Sequence, residues 1–169
     1  MVILGIDPGL RVTGFGAVKV RGLSLEALSA GVIRTGEGRE LGRRLEELGR
    51  GLDQVIEESR PEVVVVESLY SHYRHPRTAI LMGHARGVII FTAAGRGLPV
   101  INYPATRIKK SLTGNGRASK LQVQRAIAGL LKMPTPPEPA DVADALAVAL
   151  CHANVIRHQV PAGARGKAV

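Results

Sequence analysis

Ile3-Leu4-Gly5-Ile6-Asp7-Pro8-Gly9 is the first indication of the fold, because an apolar run here ends in an acid that is followed at once by a Pro-Gly turn. A short apolar run bounded by turn residues is typical of a strand that is buried on both faces. The same pattern returns in Val63-Val64-Val65-Val66-Glu67, where four valines precede a second acid. The sequence therefore predicts two buried strands that each carry a carboxylate at the carboxyl end.

The segments around these two runs predict five strands and five helices. The strands are expected at residues 2–7, 13–20, 26–35, 62–67 and 98–103, and the helices at about residues 37–59, 76–94, 105–112, 119–131 and 139–158. Short turns join the first three strands, which favours antiparallel pairing, whereas helices separate the later ones. This order predicts an α/β fold, a mixed five-stranded sheet flanked by helices on the ribonuclease H-like plan.

The 169 residues are expected to form a single domain over residues 1–158 with a disordered tail over residues 159–169. The lone Cys151 excludes an intrachain disulfide, and the sequence has no Cys/His cluster with zinc-ligand spacing. No uninterrupted apolar run approaches the roughly 18 residues of a membrane span, and the amino terminus leads straight into a strand. A cytoplasmic location without a membrane partner is therefore expected.

The basic residues are unevenly distributed along the chain, whose formal net charge is +9. Residues 1–67 hold nine basic and eleven acidic side chains, whereas residues 68–132 hold eleven basic ones and no acid. A solvated surface ordinarily mixes both signs, so this segment indicates a polyanionic partner. Nucleic acid fits better than a membrane surface, because no basic amphipathic helix is evident.

Asp141 and Asp144 add two carboxylates on the last predicted helix. Positions i and i+3 share one helix face, and the first turn of a helix favours negative charge. Together with Asp7 and Glu67 they predict a site for divalent cations, which would neutralise the clustered acids and support phosphodiester hydrolysis. Each acid alone also fits a turn, a strand edge or a helix cap, but their joint placement favours the metal site.

The segment from Gly5 to Gly14 also admits another interpretation, since phosphate loops of the actin and sugar-kinase type place Asp and Gly after a first strand. Those enzymes close a second, similar domain over the nucleotide. At 169 residues the chain has no room for a second domain of that kind. The metal site is therefore the preferred hypothesis.

Several segments, in the same order along the chain, resemble the RuvC family of bacterial Holliday junction resolvases. The resemblance runs from Ile3 to about His158, and its most specific parts are Gly5-Ile6-Asp7-Pro8-Gly9, Thr13-Gly14-Phe15-Gly16, Val66-Glu67 with Tyr70, Ala85-Arg86-Gly87, Gly114-Asn115-Gly116, and residues 140–147. It implies a structure-selective endonuclease that resolves four-way DNA junctions by paired symmetric nicks in homologous recombination and DNA repair. It also implies two Mg²⁺ ions per active site, for which Mn²⁺ is expected to substitute.

The resemblance implies roles for individual residues. Asp7, Glu67, Asp141 and Asp144 would be the catalytic, metal-binding acids, and Lys120 would stabilise charge in the transition state. Tyr70 lies where the family has an aromatic side chain that acts on bases at the crossover. Stacking of an aromatic side chain on a base contributes about 1–3 kcal/mol per base. The expected DNA-binding residues are Tyr70, Arg74, Arg77, Lys109, Lys110, Arg117 and Lys120.

The partners implied by the resemblance are four-way junction DNA, a second copy of the chain, and the branch-migration proteins RuvA and RuvB. The helix after Pro76, with Gly83, Arg86 and Gly87, is the expected dimer face because small residues allow close packing; alternatively, those glycines pack against the sheet. Two other functions also fit the charge pattern. One is a non-catalytic module that binds branched nucleic acid, and the other is a ribonuclease H-like nuclease that acts on RNA.

Overall fold

The computed structural model describes residues 1–68 and 76–159, and the predicted order of strands and helices is confirmed there. Its strands are β1 (Val2–Asp7), β2 (Val12–Arg21), β3 (Ser24–Arg34), β4 (Val63–Glu67) and β5 (Val100–Tyr103). Its helices are α1 (Leu41–Ser59), α2 (Pro76–Gly95), α3 (Ala105–Thr113), α4 (Lys120–Leu131) and α5 (Ala140–Gln159). Tyr70 and Arg74 in the predicted loop, and residues 160–169 of the predicted tail, lie outside the described residues.

The five strands form one mixed sheet in the order β3-β2-β1-β4-β5. β1 pairs antiparallel with β2 and parallel with β4, and β4 pairs parallel with β5. The pairing of Ile6 with Val66 brings the carboxyl ends of β1 and β4 to the same level. Asp7 and Glu67 therefore lie side by side, at the carboxyl ends of two neighbouring strands.

The two faces of the sheet are covered by different helices. Leu4 and Ile6 of β1 pack in a buried cluster with Leu48 and Leu52 of α1 and with Ile89 of α2. The opposite face belongs to a second cluster in which β1, β2 and β4 meet α3, α4 and α5. Because successive side chains of a strand point to opposite faces, Gly5 and Asp7 lie on the α5 side.

Helix α5 is the most deeply packed element of that second face. Leu146, Leu150 and Cys151 have no solvent exposure, and the alanines among them are equally buried. Small side chains allow the helix to approach the sheet closely, and the described residues show it against both β1 and β2. The burial of Cys151 agrees with a thiol that acts as a small core side chain.

Helix α1 begins at Leu41 rather than near residue 37. Gly38 has a φ of +77°, which a right-handed helix does not accommodate, so the first turn forms only after this glycine. The helix ends at Ser59, where Arg60 takes a left-handed conformation and donates its N–H to the carbonyl of Ile56. Only the start of the predicted helix is therefore wrong.

Helix α2 differs from expectation in two ways. Its stretch Arg77–Gly95 is long and apolar enough to cross a membrane by length and composition. Polar residues interrupt this stretch, so it contains no uninterrupted apolar run of that length, but its average hydropathy is high. The glycines Gly83 and Gly87 do not pack against the sheet, since a Cβ built on either would meet no atom within 4 Å. The outer face of α2 also exposes 61% of Ile80 and 80% of Phe91.

Candidate active site

Four carboxylates meet at the edge of the sheet where β1 and β4 end. Asp7 and Glu67 come from those two strands, and Asp141 and Asp144 come from the first turns of α5. Burial, followed by the charges of Asp144, Glu67 and Asp141, raises the pKa of Asp7 to about 7. A carboxyl group whose pKa is shifted by three neighbouring acids lies within their electrostatic reach, so the predicted residues are brought together.

Glu67 is perturbed in the same direction. Burial is the largest cause that raises the pKa of Glu67, and the charge of Asp144 adds to it. The ammonium group of Lys109 acts in the opposite direction. The acids therefore repel one another in the absence of added cations, and basic side chains of the protein offset this repulsion only in part.

Lys120 reaches the carboxylates from α4. Its Nζ donates a hydrogen bond to Oδ2 of Asp144 at 3.1 Å. The start of α4 is held by a capping box, in which the Ser119 hydroxyl accepts from the Gln122 N–H and the Gln122 side chain accepts from the Ser119 N–H. This cap fixes the start of α4 and places the ammonium group of the next residue beside the acids.

Lys109 borders the same cleft from α3. The cleft is lined by the acids Glu67 and Asp144, the two lysines Lys109 and Lys120, and the apolar residues Ala105, Ile108, Val123 and Ala147. Ile108 is buried against the core, so α3 is anchored while Lys109 on its flank faces the cleft. A cleft that is lined by apolar groups and two ammonium groups is suited to bind a phosphodiester close to the acids.

The donor set fits a divalent cation that prefers oxygen. All four candidate ligands are carboxylates, the hard donors that Mg²⁺ and Mn²⁺ take. Across residues 1–68 and 76–159, no three Asp, Glu, His or Cys side chains converge into a ready-made metal cage. Mg²⁺ retains several waters and needs only one or two carboxylates per ion, so an open arrangement of this kind is compatible with it.

The other residues expected to bind DNA occupy different positions. Arg77 lies exposed in the first turn of α2, and Lys110 lies exposed on α3 beside Lys109. Arg117 is exposed in the turn before α4, where its backbone N–H donates to Oδ1 of Asn115. Lys109 and Lys120 line the cleft, whereas the structure does not bring Arg77, Lys110 and Arg117 into its lining.

Thr13 supports the loop after Asp7, a role that the sequence did not reveal. Its buried hydroxyl donates to the Gly9 carbonyl at 2.5 Å and accepts from the Gly9 N–H at 3.4 Å. These bonds close the turn between β1 and β2 directly behind the first acid. The only sequence signal for these two hydrogen bonds is a threonine four residues after the glycine of the Pro-Gly turn.

Tyr103 and His152 form a second polar contact that sequence patterns did not indicate. The Tyr103 hydroxyl lies 2.8 Å from Nδ1 of His152, and the guanidinium of Arg107 lies 4.7 Å from the centre of the tyrosine ring. These contacts connect β5 and α3 to the far half of α5. The paired residues are distant in sequence, so no local spacing could have predicted them.

A mixed five-stranded sheet with acids from its first and fourth strands and from its last helix defines a ribonuclease H-like nuclease. Within that class the assignment is specific. Residues 3–152 match the family model described as crossover junction endodeoxyribonuclease RuvC, and the chain belongs to this family. The resemblance seen in the sequence is thereby confirmed.

Two RuvC proteins and one solved RuvC structure are similar to this chain and support the assignment. The crossover junction endodeoxyribonuclease RuvC of Rhodopirellula baltica is 50% identical over 149 residues, which cover 88% of this chain and 84% of that protein. The RuvC of Moorella thermoacetica is 46% identical over 154 residues, which cover 91% and 92% of the two chains. The structure of Thermus thermophilus RuvC in complex with Holliday junction substrate superposes with a TM-score of 0.88 at 35% identity, covering 94% of this chain and 96% of that one.

Proposed function

We propose that this protein is a structure-selective endonuclease that resolves four-way DNA junctions by paired, symmetric nicks in homologous recombination and DNA repair. The observation that carries the proposal is a cleft lined by Glu67, Asp144 and Lys120, with Asp7 close enough to feel the charges of all three. Membership of the RuvC family supports junction DNA as the substrate. A soluble, cytoplasmic protein fits this role.

Asp7, Glu67, Asp141 and Asp144 would hold the metal, and we propose two Mg²⁺ ions per site with Mn²⁺ as a substitute. When bound, the ions would supply an activated water and neutralise charge on the scissile phosphate. The side chains come from two strands and a core helix, which are rigid supports for ligands that must keep their geometry. The raised pKa of Asp7 supports this assignment, because burial and three neighbouring acids outweigh the one ammonium group, that of Lys120, which lowers it among the described residues.

Lys120 would stabilise the negative charge that develops on the reacting phosphate. In the structure its ammonium group is bonded to Asp144, so it is already held at the edge of the acid cluster. A charge that is positioned before the reaction contributes more than one that must be moved into place. Lys109, which also lines the cleft, would bind the phosphate backbone.

Exposed basic residues would extend the DNA-binding surface beyond the cleft. In sequence, Lys110 follows Lys109 directly and Arg117 precedes Lys120 by three residues, and Arg77 is the second residue of α2. Tyr70 and Arg74 belong to the proposal on the sequence alone. Phosphate contacts position a duplex without reading its bases, which suits recognition of a branched shape.

The second copy of the chain would dock on the outer face of α2. This face carries exposed Ile80 and Phe91 together with open space above Gly83 and Gly87. Exposed large apolar groups on one face mark interaction sites, and a helix with glycines lets a second helix come close. We propose a homodimer with two cleavage sites, which cooperates with RuvA and RuvB, rather than a membrane contact for this helix.

The proposal is tested by cleavage of an end-labelled synthetic four-way junction with a branch-migratable core. Wild type with Mg²⁺ is expected to give paired nicks at symmetric positions, and chelator or Asp7→Asn is expected to abolish them while junction binding persists. Structure-selective binding without nicks under any metal would leave only a binding module. Preferential cleavage of RNA substrates in the same panel would replace the junction by RNA as the substrate.

A further inference from the structure

Gly14 of β2 lies where the sheet meets the first turn of α5. It is the cross-strand partner of Asp7 in the antiparallel pairing of β1 with β2. A Cβ built on Gly14 would overlap the carbonyl oxygen of Asp141 and would lie 2.6 Å from its carbonyl carbon and 3.2 Å from its Cβ. Asp141 is itself one of the proposed metal ligands, so this contact links a glycine without a side chain to the site.

The reason for a glycine here is space and not backbone conformation. Gly14 lies within a regular strand and is absent from the glycines with positive φ in the described residues. An alanine could adopt the same backbone conformation without strain. Its methyl group, however, would meet backbone atoms of the helix, and backbone atoms cannot rotate out of the way as a side chain does.

Gly16, two residues further along β2, offers a contrast. A Cβ built there would meet the Leu146 side chain, with Cδ2 at 2.7 Å and Cγ at 2.8 Å, and would lie 3.2 Å from the Leu146 Cα. The two shortest of these contacts are relieved by a change of the leucine rotamer, at a cost in core packing. Both glycines face the same helix, but the shortest contacts of Gly14 are with helix backbone, whereas those of Gly16 are with a side chain.

We propose that Gly14 is a positioning residue that sets how deeply the first turn of α5 lies against the sheet. This depth determines how far Asp141 and Asp144 stand from Asp7 and Glu67, and hence whether the four can share the same metal ions. The inference rests on the proposed function of these acids as metal ligands. Gly14 has no side chain that could serve as a ligand, and it acts through the position of Asp141.

The first experiment compares Gly14→Ala with Gly16→Ala by titration with Mn²⁺ alone and by thermal unfolding. Supporting groups around metal ligands commonly change metal affinity about 10–100-fold, so Gly14→Ala is expected to weaken Mn²⁺ binding by at least about tenfold. Gly16→Ala is expected to lower the melting temperature while its Mn²⁺ affinity stays within about twofold of wild type. Junction cleavage by Gly14→Ala should recover in part at high Mn²⁺ concentration.

The second experiment asks whether a longer ligand compensates for a displaced helix. Asp141→Glu alone is expected to weaken Mn²⁺ binding, whereas the same change in Gly14→Ala should strengthen it, because the added methylene restores the reach of the carboxylate. If Gly14→Ala unfolds in buffer, both proteins are measured in trimethylamine N-oxide, which favours the compact state. Wild-type-like Mn²⁺ affinity of Gly14→Ala, or additive losses in the double variant, would overturn the proposal.

These outcomes are separable from a failure of the proposed function. If wild type itself neither binds Mn²⁺ nor cleaves a junction, then the assignment of the acids is wrong. If wild type does both and Gly14→Ala matches it, the acids are correctly assigned and only the role of Gly14 is rejected.

Discussion

Asp7 lies at the carboxyl end of the central strand of the sheet, among three other acids. Its pKa of about 7 has burial as its largest cause and the neighbouring carboxylates as the next. A protein that binds no divalent cation must then hold a proton on this group or accept the repulsion between the acids. Such a site lowers the stability of the fold in exchange for affinity toward cations.

This crowding predicts a pH-dependent stability of the metal-free protein. The pKa of Asp7 is raised to about 7 from the ordinary value of 3.8 for an aspartate, so between these pH values the folded state holds a proton that the unfolded chain releases. The contribution to the free energy of unfolding is fully present below about pH 4 and is lost as pH rises toward 7. In chelator at pH 8, Asp7→Asn should therefore be more stable than wild type, on the order of 2 kcal/mol.

Thermal unfolding at several pH values measures this difference directly. The advantage of Asp7→Asn should vanish near pH 4, where wild type holds its proton, and Mn²⁺ should stabilise wild type more than the variant. A wild type that is more stable than Asp7→Asn in chelator at pH 8 would contradict the crowding of the four acids.

Lys120 gives a second prediction at the residue scale. Lys120→Met removes the ammonium group beside Asp144 but keeps most of the apolar stem. The cleavage rate should fall about 10²–10³-fold, the cost typical of losing one group that stabilises transition-state charge. Single-turnover cleavage at saturating enzyme isolates this step, and junction affinity measured in parallel should change only severalfold. A large loss of affinity with an unchanged rate would make Lys120 a binding residue only.

At the scale of the element, α4 holds Lys120 through its first turn. The capping box at Ser119 and Gln122 satisfies two backbone N–H groups that would otherwise lack partners. Ser119→Ala should lower the free energy of unfolding by about 1 kcal/mol, whereas Ser119→Asp should retain most of it. Chemical denaturation measures both, and an alanine variant as stable as wild type would show that the cap contributes nothing.

Helix α2 exposes two large apolar side chains, Ile80 and Phe91, on its outer face. Phe91→Asp is expected to dissociate the proposed homodimer, because a carboxylate would be buried without a partner at the contact. Leu28→Asp on β3 is the matched control, since that leucine is also exposed and apolar but lies away from α2. Sedimentation equilibrium separates the outcomes, and dissociation by both variants or by neither would count against the α2 face.

At the scale of the whole molecule, the charge is divided between residues 1–67, which mix both signs, and the basic residues 68–132. Lys110→Met and Arg117→Met should each weaken junction binding and reduce the slope of log affinity against log salt by about one, if each contacts one phosphate. Arg43→Met on α1 is a suitable control, because its guanidinium already pairs with Glu46. Binding measured across a salt series by fluorescence anisotropy gives the slopes, which should be unchanged in the control.

The order of elements could be predicted from the sequence. The neighbouring positions of Asp7 and Glu67 could also be predicted, because each ends a buried apolar strand and the carboxyl ends of adjacent parallel strands align. The cap at Ser119 was equally local. The depth of α5 could not be predicted, since it depends on a contact between Gly14 and the backbone of Asp141 that only the folded chain reveals. The contact of Tyr103 with His152 joins distant segments and leaves no periodic signal.

Helix α5 is both the most buried helix on its side of the sheet and the carrier of two of the four acids. The packing of the core and the geometry of the site therefore depend on the same helix. Loosening of the core would move Asp141 and Asp144 away from Asp7 and Glu67, so damage to the core is expected to reduce cleavage.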